Sequence, residues 1–102
     1  MSAGERTALA GIRVAELGEG AGLAYAGKLF ADLGAEVFKL EQPGGDPLRH
    51  LPPLVEVAPG EHESGWFAWL NTHKRSLTAT PDRVAATLAG SDVLLDGRPV
   101  AE

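Results

Sequence analysis

Residues 12–41 read IRVAELGEGAGLAYAGKLFADLGAEVFKLE, and this stretch decides the fold of the chain. Residues 12–17 form a short, partly β-branched run, which predicts a strand that ends at the glycine-rich loop of residues 18–22. Apolar side chains then recur at helical spacing from Leu23 to Leu33, and residues 35–41 alternate small or apolar with charged side chains, as in a second strand. The stretch therefore predicts a right-handed βαβ unit with parallel strands.

The remainder of the sequence continues this alternation. Residues 43–63 contain five of the seven prolines, which predicts an irregular loop instead of regular structure. The elements predicted after it are a helix at 65–70 capped by Ser64, a strand at 75–80, a helix from Pro81 to Gly90 and a strand at 92–96. The predicted fold class is α/β, a Rossmann-like parallel sheet of about four strands with flanking helices, in one domain of residues 1–102.

Composition narrows the function classes. The 102 residues carry a formal net charge of −5, and basic residues are scattered apart from Lys74 and Arg75, so a nucleic-acid partner is not expected. The sequence has no cysteine, which excludes disulfides and thiol chemistry and fits the cytoplasm. No apolar run approaches the roughly 18 residues that span a bilayer, and the first residues do not resemble a signal peptide. We therefore expect a cytoplasmic protein without a membrane partner.

The glycine loop is the first candidate site. Glycines at 18, 20 and 22 would let a backbone approach phosphate at a helix N-terminus, and Glu41 is placed like an acidic residue that holds a ribose. The motif is partial, because Leu23 stands where a dinucleotide fingerprint has its third glycine. A turn that only reverses the chain is the alternative. Residues 22–28 match a Walker loop formally, but we reject that match because Leu29 replaces the metal-binding Ser or Thr.

The second candidate is the segment Asn71-Thr72-His73-Lys74-Arg75, in which an amide and two adjacent cations could grip phosphate groups. A solvated basic loop is the alternative interpretation. The aromatic segment before it, with Trp66, Phe67 and Trp69, is interpreted as core or interface. The three histidines lack metal-ligand spacing and are expected to be exposed, so no metal site is predicted.

Three stretches carry a family resemblance: LAGIRVAELGEGAGLAYAGKLFADLGAEVFKLEQPGGDPLR, LNTHKRSLT and SDVLLDGRP. Together, over residues 9–99, they resemble the opening region of family III CoA-transferases of the CaiB/BaiF type and of the related α-methylacyl-CoA racemases. The resemblance implies a Rossmann-like domain that binds CoA or acyl-CoA, in proteins whose long chains form an interlocked dimer. It also implies a catalytic aspartate that attacks an acyl-CoA thioester and forms an anhydride, after which CoA passes to another carboxylic acid.

The resemblance also suggests site residues. Leu70, Asn71, Lys74 and Arg75 match a segment that lies against CoA in the family, and Ala21 belongs to a loop that lines the CoA cleft. The family's catalytic aspartate lies downstream of the position matched by Pro99, so no catalytic residue is assigned and the isolated chain is expected to be inactive.

Three hypotheses about function follow from these observations. The first is binding of CoA in support of CoA transfer, or of an acyl-CoA racemase reaction, with the remaining architecture supplied by a homodimer or a larger chain. The second is a non-catalytic interaction or scaffolding domain that uses residues 65–70 as its contact surface. The third is a fragment of a dinucleotide-binding oxidoreductase that uses Gly18, Gly20 and Glu41.

Overall fold

The computed structural model describes residues 7–100 of the chain. Its strands are β1 (Arg13–Leu17), β2 (Glu36–Glu41), β3 (Leu54–Ala58), β4 (Glu61–Ser64), β5 (Arg75–Thr78) and β6 (Val93–Asp96). Its α-helices are α1 (Ala21–Asp32), α2 (Gly65–Leu70) and α3 (Pro81–Ala89), and a 3-10 helix covers Pro47–His50. The predicted domain of residues 1–102 extends at both ends beyond the described range.

Four parallel strands form the main sheet in the order β5-β2-β1-β6, which confirms the predicted fold class. Val14 in β1 lies opposite Val37 in β2 and Val93 in β6, so the central strand is paired on both sides. The chain runs from β1 to β2 and β5 on one side and then crosses through α3 to β6 on the other. The strand order therefore reverses between β1 and β6, and in open α/β sheets ligands bind at the carboxyl ends of strands beside such a reversal.

The core lies between the sheet and α1. One cluster contains the buried residues Val14, Ala31, Ala35 and Val37, and a second, near the first half of α1, contains Ala24, Leu48 and Leu70. Burial of these side chains is the main favourable contribution to folding of a domain this small. Gly34, with φ of +99°, follows α1, as the sequence predicts for a glycine that ends a helix.

The prediction of an irregular loop at residues 43–63 is wrong, because this segment contains the 3-10 helix and an antiparallel β3–β4 hairpin. Asp46 starts the 3-10 helix by accepting a hydrogen bond from the backbone N–H of Leu48. Gly60, with φ of +76°, lies in the turn that joins the two strands. The prolines and glycines thus mark the ends and the turn of a hairpin, and its strand residues were overlooked.

Two predicted boundaries shift by two residues each, and several others shift by one. α1 begins at Ala21, before the predicted Leu23, and β5 ends at Thr78 because Thr80 caps α3 by accepting a hydrogen bond from the N–H of Arg83. Within the described residues, the helices are all too short or too polar to cross a bilayer.

Candidate functional site

An open cleft of about 370 Å³ lies at the carboxyl ends of β1, β2 and β6. It occupies the place where the strand order reverses, which is the usual ligand position in this kind of sheet. Its polar and glycine lining residues come from the end of β2 and from the loops after the three strands. They are Gly18, Glu19, Glu41, Gln42, Asp46, Gly97 and Arg98. The cleft is therefore the principal candidate for a ligand site.

Two glycines bring the loops after β1 and β6 together at this cleft. Gly18 has φ of +115°, and a Cβ atom there would lie 2.8 Å from the carbonyl carbon of Gly97, closer than real side chains approach. The N–H of Gly97 donates to the carbonyl oxygen of Leu17 over 2.8 Å. Gly18 is thus required for contact between two backbones, which favours the chain-reversal interpretation of this glycine over a dinucleotide fingerprint.

α1 begins at the same edge of the sheet. Gly20, with φ of +117°, is the N-cap and supplies no side-chain hydrogen bond to the first turn. The early backbone N–H groups of a helix lack intrahelical partners and attract negative charge. Ala21, one of the predicted CoA-contacting residues, is the first residue of this helix. The residues of the formal Walker match lie within α1, so the structure agrees with its rejection.

A buried charge network lies beneath α1. Glu16 accepts from Lys39 Nζ at 2.8 Å on one oxygen and from Lys74 Nζ at 2.7 Å on the other. Lys39 Nζ also lies 2.9 Å from Asp46 Oδ2, and the two groups form an ion pair. Among the described residues, no well-aligned hydrogen bond is donated to this buried oxygen. The side chains of all four residues are at most 2% exposed. Two carboxylates and two ammonium groups make the network electrically neutral, as burial of charge requires.

The pKa values of the two lysines shift in opposite directions. Burial alone would lower the pKa of Lys39, but hydrogen bonds and attraction from Glu16 and Asp46 outweigh it, and the pKa is raised. Burial lowers the pKa of Lys74, opposed by the Glu16 carboxylate. Sequence reasoning missed this network, although charged residues within the otherwise apolar strands β1 and β2 were a signal that they needed buried partners.

Lys74 faces the protein interior. Its Nζ donates to Glu16 Oε1, to the carbonyl oxygen of Ala24 at 2.8 Å and to Asn71 Oδ1 at 2.7 Å. An ammonium group has three donors, so these contacts use its full capacity. Asn71 in turn donates from Nδ2 to the carbonyl oxygen of Phe67. Lys74 and Asn71 therefore connect α1, α2 and β1, and direct contact of either with a CoA phosphate stays a prediction.

The other predicted CoA-contacting residues lie in different environments. Leu70 is buried in the cluster with Ala24 and Leu48, against which Ala21 packs, whereas Arg75 is exposed at the start of β5. The structure thus brings Ala21, Leu70, Asn71 and Lys74 together under and beside α1. None of the five predicted residues is among those that line the cleft.

Glu41 at the end of β2 is fully engaged by the protein. Arg49 donates to both of its oxygens at 2.7 Å, the N–H of Asp46 donates at 2.8 Å, and Ser76 Oγ is a further partner. The hydrogen bond from Arg49, opposed by burial, lowers the pKa of Glu41 to about 2. The guanidinium of Arg49 also lies 4.1 Å from the ring centre of Phe67. Glu41 therefore has no unoccupied oxygen with which to hold a ribose, contrary to the third hypothesis.

Arg98 brings a positive charge to the cleft lining. Its Nε and NH2 groups donate to the two oxygens of Asp96 at 2.8 and 2.7 Å in a bidentate pair. Hydrogen bonds from Arg98 lower the pKa of Asp96 to about 2, because the guanidinium favours the ionised carboxylate. Arg98 lies in the stretch SDVLLDGRP that carries the family resemblance, but it was not predicted as a site residue, because a single arginine in a loop has no pattern.

The aromatic segment is divided between core and surface. Phe67 packs against the second core cluster, while Trp66 is 39% and Trp69 is 55% exposed. Trp69 stacks on Tyr25 at 6.2 Å between ring centres, and Lys28 Nζ lies 4.7 Å from the Trp69 ring centre. Tyr25, Trp66 and Trp69 are called the aromatic patch below.

The sequence predicts that His50, His62 and His73 are exposed and do not form a metal site. All three are exposed in the structure. Within residues 7–100, histidine, aspartate and glutamate side chains do not form a group of three or more arranged for a metal ion.

Comparison with known proteins identifies the family to which the sequence is similar. Residues 9–97 match the model of CoA-transferase family III. Succinate–glutarate CoA-transferase of Agrobacterium fabrum is 45% identical over 83 residues, covering 76% of this chain and 21% of the relative. Succinyl-CoA:mesaconate CoA-transferase of Haloarcula hispanica is 43% identical over 70 residues, covering 69% of this chain and 18% of the relative.

Solved structures agree. A CAIB/BAIF family protein from Brucella suis superposes with a TM-score of 0.80 at 35% identity, over 90% of this chain and 26% of that protein. Rv3272 of M. tuberculosis gives a TM-score of 0.66 at 32% identity, over 87% of this chain and 26% of that protein. The chain therefore spans about a fifth to a quarter of the length of these relatives. The match over residues 9–97 and the shared fold show that this chain belongs to CoA-transferase family III.

Proposed function

We propose that this chain binds the nucleotide portion of CoA or acyl-CoA in the cleft at the carboxyl ends of β1, β2 and β6, in support of CoA transfer between an acyl-CoA and a carboxylic acid. The observation that carries the proposal is the position of the cleft at the reversal of strand order, beside the uncapped start of α1 and Arg98. The N–H groups of a helix start and a guanidinium both suit a diphosphate.

The predicted contact residues would contribute in two ways. Ala21 would offer backbone at the start of α1. The exposed Arg75 begins β5 opposite Phe38, away from the carboxyl ends of the strands, and would attract phosphate only at long range. Leu70, Asn71 and Lys74 would hold α1 in place from below, through the hydrophobic cluster and the three hydrogen bonds of Lys74. In this proposal, Lys74 is a positioning residue whose charge is balanced inside the protein.

CoA transfer by this family chemistry requires a carboxylate nucleophile that forms a mixed anhydride with the acyl group and releases the CoA thiolate. No residue of this chain is assigned that role. We propose that the nucleophile comes from a larger chain, that a dimer completes the rest of the active site, and that the protein acts in the cytoplasm.

Calorimetric titration of the folded chain with CoA tests the proposal, with NAD as the control ligand. We expect micromolar binding of CoA and no comparable binding of NAD. A folded chain that binds neither ligand would refute the proposal.

The aromatic patch supports a second candidate function, a protein-interaction domain. Two tryptophans at 39% and 55% exposure on neighbouring turns of one short helix are unusual for a domain surface without a partner. Sedimentation of the chain alone and of a Trp69→Ala variant tests this function. Self-association that is lost in the variant would support it, and a monomer at all concentrations would leave CoA binding as the better account.

A further inference from the structure

Asp46 joins the cleft to the buried charge network. It is one of the residues that line the cleft, and its side chain is 2% exposed. Its Oδ2 atom lies 2.9 Å from Lys39 Nζ, and Lys39 is not among the described residues that line the cleft. The Asp46 carboxylate is therefore a charge directly behind the cleft surface, and the Lys39 ammonium lies one contact deeper.

The two oxygens of Asp46 have different partners. Oδ1 accepts a hydrogen bond from the N–H of Leu48 over 2.9 Å and starts the 3-10 helix. Within the described part of the chain, Oδ2 receives no well-aligned hydrogen bond, so its contact with Lys39 is mainly one of charge. Capping does not require a carboxylate, because the carbonyl oxygen of an asparagine side chain accepts the same hydrogen bond. The negative charge of Asp46 therefore serves to balance Lys39.

Lys39 has no second carboxylate of its own. Its other ion-pair partner, Glu16, is shared with Lys74. The four side chains carry two negative and two positive charges, so removal of the Asp46 charge would leave one positive charge in excess. Solvent screens a buried charge less than an exposed one, and this excess would attract an anion in the cleft.

We propose that Asp46 limits the affinity of the cleft for anionic ligands by cancelling the charge of Lys39. The inference rests on the proposed function, which places phosphate groups of CoA in the cleft. In this account the Asp46 carboxylate stabilises the fold and weakens phosphate binding, so removal of its charge changes stability and affinity in opposite directions. A residue needed only for the shape of the cleft wall would lower both together.

Asp46→Asn tests the inference, because asparagine keeps the cap and removes the charge. We expect this variant to bind CoA about threefold to tenfold more tightly in calorimetry at low salt, and to unfold at a lower urea concentration than the wild type. The gain in affinity should shrink at high salt, because ions screen the attraction in an open cleft. Glu19→Gln is the matched control, since it removes an exposed carboxylate of the same lining and should change CoA affinity by less than about twofold.

A double variant, Lys39→Met with Asp46→Asn, separates charge from shape. It removes one buried charge of each sign, so the network stays neutral and the fold should be retained. Its affinity for CoA should lie within about twofold of the wild-type value, because no excess charge faces the ligand. This comparison decides the question even if Asp46→Asn alone does not fold.

The outcomes separate this inference from the proposed function. Weaker CoA binding by folded Asp46→Asn, or an equal gain in affinity in the single and double variants, would overturn the role of Asp46 and leave the cleft as a CoA site. Loss of CoA binding in the folded double variant would show that the two side chains act through the shape of the cleft. Absence of CoA binding in the folded wild type would overturn both proposals.

Discussion

Glu16 and Lys74 lie 58 positions apart in the sequence, and Lys74 Nζ donates to Glu16 Oε1 over 2.7 Å beneath α1. Lys39 takes the other oxygen of Glu16, so one carboxylate connects the central strand, its neighbour and the segment that leads into β5. A pair of this kind stabilises little relative to apolar side chains, but the loss of one partner leaves a buried charge uncompensated.

Lys74→Ala should therefore destabilise the domain by about 3–5 kcal/mol, because Glu16 would keep a buried oxygen without a partner. Urea unfolding followed by circular dichroism measures the change. Arg13→Ala is the control, since the pair of Arg13 with Glu36 is exposed and spans 3.9 Å, and its loss should cost at most about 1 kcal/mol. Equal effects of the two substitutions would contradict the assigned role of Lys74.

Gly27 in α1 allows this network to approach the helix. A Cβ atom at this position would come within 3.0 Å of Lys74 Nζ and would overlap with Glu16 Oε1. We expect Gly27→Ala to lower the unfolding midpoint, although alanine favours helices by about 1 kcal/mol over glycine. Gly22→Ala, on the exposed first turn with nothing within 4 Å, should raise the midpoint. If both variants are stabilised, the claim that Gly27 packs too closely on the charge network to accept a Cβ atom is wrong.

The ion pair of Glu41 and Arg49 should make the stability of the fold depend on pH in the acid range. The pKa of Glu41 is about 2 in the folded chain and 4.5 in its ordinary state, so the unfolded chain takes up the proton first as pH falls. The stabilisation is complete above about pH 4.5 and is lost as pH falls through about 2.

We expect the free energy of unfolding of the wild type to exceed that of Glu41→Gln by about 1–3 kcal/mol at pH 7. This difference should shrink towards pH 2. Unfolding in urea at several pH values measures both proteins. A difference that stays constant with pH would show that Glu41 acts through shape and not through its charge.

The sheet could be predicted from the sequence because its determinants are local. Apolar runs of five or six residues, the glycine after Leu33 and the capping residues Ser64 and Thr80 each specify a nearby element. The β3–β4 hairpin was missed because its strands are exposed on both faces, with Leu54, Val55 and Val57 each about half exposed. Such strands lack the alternation that a half-buried strand shows, so prolines dominated the pattern.

The site was harder to predict, because its residues meet only through the fold. Lys74 and Arg75 were predicted as a phosphate site because they are adjacent cations. In the structure the lysine side chain is buried and the arginine is exposed. Neighbouring residues on a loop and strand start can face opposite environments, and charge alone does not distinguish them. Arg98 and Gln42 reach the cleft because β1, β2 and β6 end at the same edge of the sheet, which is a property of strand order.

Arg98 gives the last prediction, which concerns binding instead of stability. If Arg98 contacts the diphosphate of CoA, Arg98→Gln should weaken CoA binding about threefold to tenfold, because Arg98 is the cation among the described residues that line the cleft. Asp96→Asn should act in the opposite direction and tighten CoA binding, since the Asp96 carboxylate competes for the guanidinium through both of its oxygens.

Calorimetry on the two variants measures these changes, and unchanged unfolding midpoints would show that the exposed pair does not hold the fold together. Weaker binding in both variants would mean that Asp96 orients Arg98 for the ligand instead of competing with it. Unchanged binding in both would remove Arg98 from the site and leave the start of α1 as the phosphate contact.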